Sequence, residues 1–283
     1  MKIKMKNTFL TILFLLLHLS VSNLNAQQTS GVISFYYPQA FGGGAGTEQN
    51  PYRIYTKEHL EELADSVNSG YNWSKDMFFH LINNIVDSVR TVIGLGPTRE
   101  SLDIVCLLIR SSQKSTWKRL NKRIKNWLEH EKTDSNLAQS FQGFFNGRGH
   151  KITLAINMPT EDNVGLFGCV SGDGLILDLD VDGYVIGNSK VGGLVGYVRM
   201  SLNTQSFYMF SELQNNASIT SNDEKTAGGI IGVAAGMKKN SIFIDRCRNN
   251  GLVNNKKLLP DVIGSLVGSL SKELNVKFRS IYQ

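Results

Sequence analysis

Residues 191–196 read V-G-G-L-V-G, and three similar blocks recur along the second half of the chain. Their closing glycines lie 28, 36 and 36 residues apart, and 19 of the 27 glycines fall between residues 141 and 272. Such repetition indicates stacked units, in which glycine supplies positive φ at corners and lets neighbouring backbones approach closely. The other blocks are V-G-L-F-G at 164–168, A-G-G-I-I-G at 227–232 and I-G-S-L-V-G at 263–268.

A second recurring element follows each block, made of short β-type runs and Gly or Asn turns. Leu175–Leu177 begins it after the first block, and Gln214–Ile219 and Ile242–Val253 take its place in the next two repeats. One short strand cannot bury its apolar face alone, whereas parallel stacking buries like residues on like. The pattern therefore predicts a mainly β solenoid. A β-sandwich with glycine-rich turns remains open, because the spacing of the blocks is irregular.

These blocks resemble the GLUG repeat of bacterial surface proteins. Residues 141–152, F-Q-G-F-F-N-G-R-G-H-K-I, and residues 46–70 are similar to the segments that precede such arrays. The resemblance implies a right-handed parallel β-helix on an exported protein, in a family that includes adhesin-like proteins and large proteases and lends no catalytic residue. The glycines that carry the repeat are Gly165, Gly168, Gly192, Gly193, Gly196, Gly228, Gly229, Gly232, Gly264 and Gly268.

The N-terminus reads as a secretory signal peptide that is cleaved after Ala26. Lys2, Lys4 and Lys6 precede an apolar run over residues 8–21, which is short for the transmembrane anchor that is the alternative. The predicted organisation is a signal peptide over 1–26, an N-terminal cap and first rung over 27–86, a basic helical insertion over 87–140, and the GLUG-repeat solenoid over 141–283.

A capping helix is predicted to begin after Thr56, with Leu60, Leu63, Ala64 and Val67 on its apolar face, and residues 77–86 are expected to start the first strand. Within the insertion, residues 100–109 and 117–128 read as two helices. Eight Lys or Arg residues between 110 and 132 form either a solvated face or a basic surface for acidic polysaccharide, anionic lipid or a partner.

Asp178, Asp180 and Asp182 form the sharpest carboxylate pattern. Strand period 2 places them on one face, with Leu and Val on the other. Such a row could bind calcium or serve as acid and base in a groove, or could be a charged, solvent-facing strand. Cys106, Cys169 and Cys247 are expected to be buried, small side chains. No H-E-x-x-H or G-x-S-x-G motif occurs, so we assign no catalytic residue, metal or cofactor.

The sequence thus predicts an exported, non-enzymatic β-solenoid at the cell surface or secreted, with an adhesin-like or scaffold role and a glycan or protein as partner. With 41% apolar and 19% charged residues, the composition excludes a disordered chain. The net charge of +6 comes from the leader and residues 110–132, so nucleic acid is not an expected partner. No transmembrane segment is predicted after cleavage. The alternatives are a β-helix polysaccharide lyase or hydrolase that uses Asp178, Asp180 and Asp182, and the N-terminal part of a longer surface protein.

Overall fold

The computed structural model describes most of the chain from residue 41 to residue 279. The predicted signal peptide, the two predicted insertion helices, Cys106 and Gly264 lie outside the described residues. Those residues are 41–96, 139–172, 174–200, 207–223, 226–236, 240–254, 265–271 and 274–279.

The described chain is mainly β, with 58% strand, and contains helix α1 (Lys57–Asn68). The long strands β4 and β6 bend within their length, and most of the others span two to five residues. The strands are β1 (Tyr52–Ile54), β2 (Phe78–Leu81), β3 (Ile85–Val89), β4 (Phe144–Val164), β5 (Phe167–Ser171), β6 (Leu175–Gly192), β7 (Val195–Arg199), β8 (Phe207–Asn215), β9 (Ser218–Ser221), β10 (Ala227–Gly228), β11 (Ile231–Ala235), β12 (Ser241–Asp245), β13 (Arg248–Asn249), β14 (Val253–Asn254), β15 (Val267–Leu270) and β16 (Asn275–Arg279).

The strands form two parallel sheets. The larger follows the order β1-β2-β4-β6-β8-β12-β16, and the smaller follows β15-β11-β7-β5. Every pairing between described strands is parallel, whereas a sandwich of hairpins would be antiparallel. The predicted mainly β fold with parallel strands is confirmed, and the β-sandwich alternative fails for the described residues. The arrangement is β-helix-like.

The repeat spacing read from the sequence equals the pairing offset in the smaller sheet. Phe167 pairs with Val195, Val195 with Ile231, and Ile231 with Val267, which are steps of 28, 36 and 36 residues. In the larger sheet Ile176 pairs with Phe210, and Ile244 pairs with Phe278. Like residues therefore stack on like, and each fully buried Leu, Val, Ile or Phe contributes roughly 1.5–3 kcal/mol.

The block glycines serve close backbone approach rather than positive φ. None of the nine described repeat glycines has a positive φ, so that part of the prediction is wrong for the blocks, although Gly149, Gly172 and Gly183 outside them do have one. A Cβ on Gly192 would lie 2.8 Å from the Gly232 nitrogen, and one on Gly196 would lie 2.5 Å from the Val164 nitrogen. Six other positions with positive φ in this region carry larger side chains, which are Arg148, Asn163, Asp178, Lys190, Glu212 and Arg246.

A ladder of asparagines explains the second glycine of two blocks. The Asn215 side chain is buried and donates to Asn249 Oδ1 at 2.7 Å, while its Oδ1 accepts from the Ala217 backbone. The nearest atom to a Cβ on Gly193 would be Asn215 Oδ1, and on Gly229 it would be an atom of the Asn249 side chain. In the preceding repeat the residue that pairs with Asn215 is Val181, so the ladder does not extend there. The block of that repeat, at 164–168, has one residue fewer between its first and last glycines and lacks the second glycine.

Helix α1 has the cap and the apolar face that were predicted. The His59 backbone N–H donates to Thr56 Oγ1 at 3.4 Å, and Leu60, Leu63, Ala64 and Val67 are all buried. The first strand begins earlier than expected, at Tyr52 instead of within 77–86. The outer edge of that strand is hydrogen-bonded, because Gly42 N donates to Arg53 O at 2.8 Å and Arg53 N donates to Gly43 O at 2.9 Å.

We expect Leu194→Asp to prevent folding. Leu194 is fully buried, and an unpaired carboxylate there is expected to cost as much as the whole stability of a typical domain, about 5–15 kcal/mol. Circular dichroism and thermal melting measure the loss. Val86→Asp is the control, because Val86 is 70% exposed on a strand and its substitution is expected to leave the melting temperature nearly unchanged. A folded Leu194→Asp variant would contradict the assignment of this block to the core.

Gly193→Ala is expected to destabilise the fold by about 1–3 kcal/mol, because the new methyl group overpacks the asparagine ladder. Urea unfolding measures the change. In an Asn215→Ala background the same substitution is expected to cost less, since the clashing side chain is gone, and a double-mutant cycle gives the coupling. Additive effects would refute the proposed contact.

Candidate functional site

A row of apolar side chains faces outward from the larger sheet. Phe78 pairs with Phe144, Phe144 with Leu175, and Met209 with Phe243, on five successive strands from β2 to β12. Each is half-buried, while the residue that follows it is buried in the core. We call this row the outer stripe, and its members are Phe78, Phe144, Leu175, Met209 and Phe243.

Ring contacts hold the ends of the outer stripe in place. The Phe78 and Phe144 rings stack with centroids 4.5 Å apart and planes 10° apart. At the other end the centroids of Phe207 and Phe243 are 4.8 Å apart, and Lys277 Nζ lies 5.0 Å from the centre of the Phe243 ring. Aromatic side chains fixed by such contacts lose little conformational entropy when they bind a ligand.

A hollow of about 210 Å³ opens at the β2 end of the stripe. Burial lowers the pKa of His80 in its wall, and the nearby Arg148 charge lowers that pKa further. The neutral imidazole can both donate and accept a hydrogen bond. The lining residues are Glu48, Phe78, His80, Phe144, Phe145, Asn146, Leu175 and Leu177.

The three predicted aspartates do not share one face. Asp178 has φ 51°, which bends strand β6 and interrupts its alternation. Leu177 is consequently half-exposed and lines the hollow, instead of lying on the buried face with Leu179. Asp180 and Asp182 do share a face beyond the bend. The prediction of a single row is therefore wrong for Asp178, because the period-2 rule holds only for regular extended backbone.

The bend at Asp178 recurs on the next two paired strands as a column of charged residues. Glu212 and Arg246 occupy the same bend, with φ 57° and 49°. The Arg246 guanidinium forms ion pairs with Glu212 and, at 3.6 Å, with Asp245. Both side chains of the Arg246–Glu212 pair are about half exposed, so it adds little to stability.

Asp180 faces a shallow depression of about 270 Å³ beside this column. Burial raises the pKa of its carboxyl group, and Asp178 raises it further, while Lys151 opposes them. Lys151 Nζ itself lies 2.9 Å from Asp182 Oδ2, and this hydrogen bond raises the pKa of the lysine. The depression is also lined by Glu212, Leu213, Gln214, Arg246 and Arg248.

The acidic residues that the structure describes do not converge on a metal site. Among the described residues, no group of three or more His, Cys, Asp or Glu side chains is placed to hold a metal ion. The nine described repeat glycines lie in close contacts between neighbouring strands and line neither the hollow nor the depression.

Cys169 and Cys247 are buried, as predicted, and burial raises the pKa of each thiol to about 12. Such thiols are poor nucleophiles. His150 lies within 3.3 Å of Asn84 Oδ1, which also accepts from the Lys151 backbone, so His150 belongs to a turn contact. Sequence reasoning missed the outer stripe, although the adjacent pairs Phe78-Phe79 and Phe144-Phe145 signal one buried and one outward ring on each strand.

Comparisons with known proteins give two similarities. No family model matches the chain. A protein of Evansella cellulosilytica, provisionally named a Gly-rich membrane protein, is 27% identical over 157 residues, which is 55% of this chain and 14% of that protein. The crystal structure of a provisionally named immunoglobulin A1 protease from Bacteroides ovatus aligns with a TM-score of 0.46 and 18% identity, over 84% of this chain and 67% of that one.

The chain thus spans about one seventh of the length of the curated relative. In the described part of the chain, no helix combines the length and the hydropathy of a membrane span.

Replacing Asp180 with Asn is expected to stabilise the protein at neutral pH. Its folded-state pKa is raised, so the ionised form is disfavoured in the fold, and the free energy of unfolding falls as pH rises through that pKa. The gain should shrink below the ordinary aspartate pKa of about 3.9, where both states are protonated. Urea unfolding midpoints of the variant and the unchanged protein at pH 7 and pH 3 measure this gain in stability. Asp87→Asn is the control, because Asp87 is exposed. A variant that is less stable at pH 7 would contradict the prediction.

Proposed function

We propose that this chain is an exported, non-enzymatic surface protein that binds an extended ligand along the outer stripe, in an adhesin-like or scaffold role. In this proposal the chain winds as a right-handed solenoid of GLUG type, helix α1 caps its first rung, and residues 1–26 direct export. The parallel, repeat-spaced strands and the membrane-protein name of the glycine-rich relative support it.

The observation that carries the proposal is the outer stripe. Neighbouring strands lie about 4.8 Å apart, so its five side chains span about 19 Å in a straight line. Isolated exposed apolar residues are common, but an ordered row on one face of a sheet marks an interaction surface.

The ligand contacts side chains and not the edges of strands. The strands under the stripe are hydrogen-bonded on both sides, since β4, β6 and β8 each have a neighbour on either flank. Their backbone groups are therefore occupied, and affinity comes from burial of the stripe and from the polar side chains beside it. A long, flat face of this kind fits a polymer, either a glycan or an extended polypeptide.

The depression at Asp180 favours a second candidate, a polysaccharide lyase or hydrolase. It combines a half-buried carboxylate of raised pKa with Arg246 and Arg248, which lie two repeats further along the sheet, and perturbed groups in a concavity are typical of active sites. Asp182 forms an ion pair with Lys151, and Glu212 forms one with Arg246. In this candidate, Asp180 is therefore the carboxyl group that would serve as the catalytic acid.

Binding of the purified full chain to a glycan array and to extended polypeptides tests the proposal. The double variant Phe144→Ser/Met209→Ser is expected to weaken binding at least 10-fold, because two apolar contacts are lost. Leu252→Ser is the matched control, since Leu252 is 82% exposed but lies outside the stripe.

Two outcomes would overturn the proposal. One is binding that the double variant leaves unchanged. The other is cleavage of a polysaccharide by the chain, if Asp180→Asn abolishes that cleavage. This result would identify the chain as a polysaccharide lyase or hydrolase.

A further inference from the structure

We infer that the hollow at the β2 end of the outer stripe binds an anionic sugar residue, and that the extended ligand is therefore an acidic polysaccharide. This inference rests on the proposed function and names the ligand class for the same face.

The walls of the hollow suit a sugar ring. Phe144 and Leu175 provide an apolar surface for the C–H face of the ring, and the stacked Phe78 ring holds Phe144 in place. A volume of about 210 Å³ accommodates one pyranose. Apolar walls with a few convergent polar groups are the usual composition of a small-ligand site.

Polar groups at the rim match the hydroxyl groups of a sugar. Asn146 Oδ1 already accepts from the Arg148 backbone at 2.8 Å, so its Nδ2 group remains the outward donor. His80 has a lowered pKa and is neutral at pH 7, so it can donate or accept, and Glu48 can accept.

Two arginines beside the lining of the hollow supply positive charge for an anionic ligand. Arg148 is close enough to lower the pKa of His80, and Arg53 pairs with His80 in the strand register. Neither arginine is in an ion pair within 4 Å among the described residues, whereas Glu48 is the only carboxylate that lines the hollow. Exposed Lys277 and Arg279 lie at the other end of the same face. Cations thus flank both ends of the stripe, which complements a polyanion.

The spacing of the rungs favours a glycan over a peptide. The step of about 4.8 Å between strands is close to the length of one sugar in an extended glycan chain, so successive sugars can meet successive stripe residues. A polypeptide strand laid in the same direction presents same-side residues about 6.6 Å apart and falls out of step with the rungs.

Calorimetric titration of the full chain compares three probes at low salt: polygalacturonate, its neutral methyl ester, and polyglutamate. We expect polygalacturonate to bind at least 10-fold more tightly than the ester, and to weaken as salt screens the arginines. Arg148→Gln is expected to remove the difference between acid and ester. The matched control is Arg199→Gln, on the smaller sheet, which is expected to retain that difference. Melting temperatures verify that both variants fold.

The outcomes separate this inference from the proposed function. The anionic site is overturned if polygalacturonate and its methyl ester bind equally, or if Arg148→Gln leaves the preference for polygalacturonate intact. The proposed function is tested separately, by the effect of Phe144→Ser/Met209→Ser on binding of the array ligands. Tighter binding of polyglutamate than of polygalacturonate assigns the face to an acidic polypeptide and overturns the inference. No binding of polygalacturonate also overturns it.

Discussion

The structure depends on how closely the backbones of paired repeats approach at the glycine blocks. At Gly192, Gly196 and Gly232 a Cβ atom would lie within 3 Å of the backbone of a neighbouring segment, so no other residue type fits without displacing the chain. This contact sets which residue stacks on which, because a slip by one position would place a side chain where only glycine is tolerated. The pairing offset of 36 residues between β7, β11 and β15 follows from it.

Once the parallel strands are in register, every outward side chain becomes part of a column. Phe78, Phe144 and Leu175 are distant in sequence, yet they form one continuous apolar row because their strands pair directly. The same rule brings Glu212 and Arg246 together at a bend. A surface feature of such a sheet is a column of residues from several strands and not a local motif, which is why sequence reasoning missed the outer stripe.

Features that rest on local or strictly repeated interactions were predictable. Thr56 caps helix α1 and Leu60 to Val67 pack inward, because capping and helical periodicity involve residues within one or two turns. The block spacing predicted the pairing of Val195 with Ile231, because equivalent positions of successive repeats pair with one another. The carboxylate row failed at Asp178, where a residue other than glycine adopts a positive φ that extended periodicity does not anticipate.

The amino-acid sequence by itself determined a mainly β chain of repeated units, because the apolar runs and glycine blocks recur, and it favoured parallel stacking over a β-sandwich without excluding the latter. Only the tertiary structure decided which side chains lie side by side on the outer face. The bends at Arg148, Asp178, Glu212 and Arg246 rotate each following residue to a new face, and the contacts between Phe78 and Phe144 join strands 66 residues apart. Positions so far apart become neighbours only through the register of the whole stack.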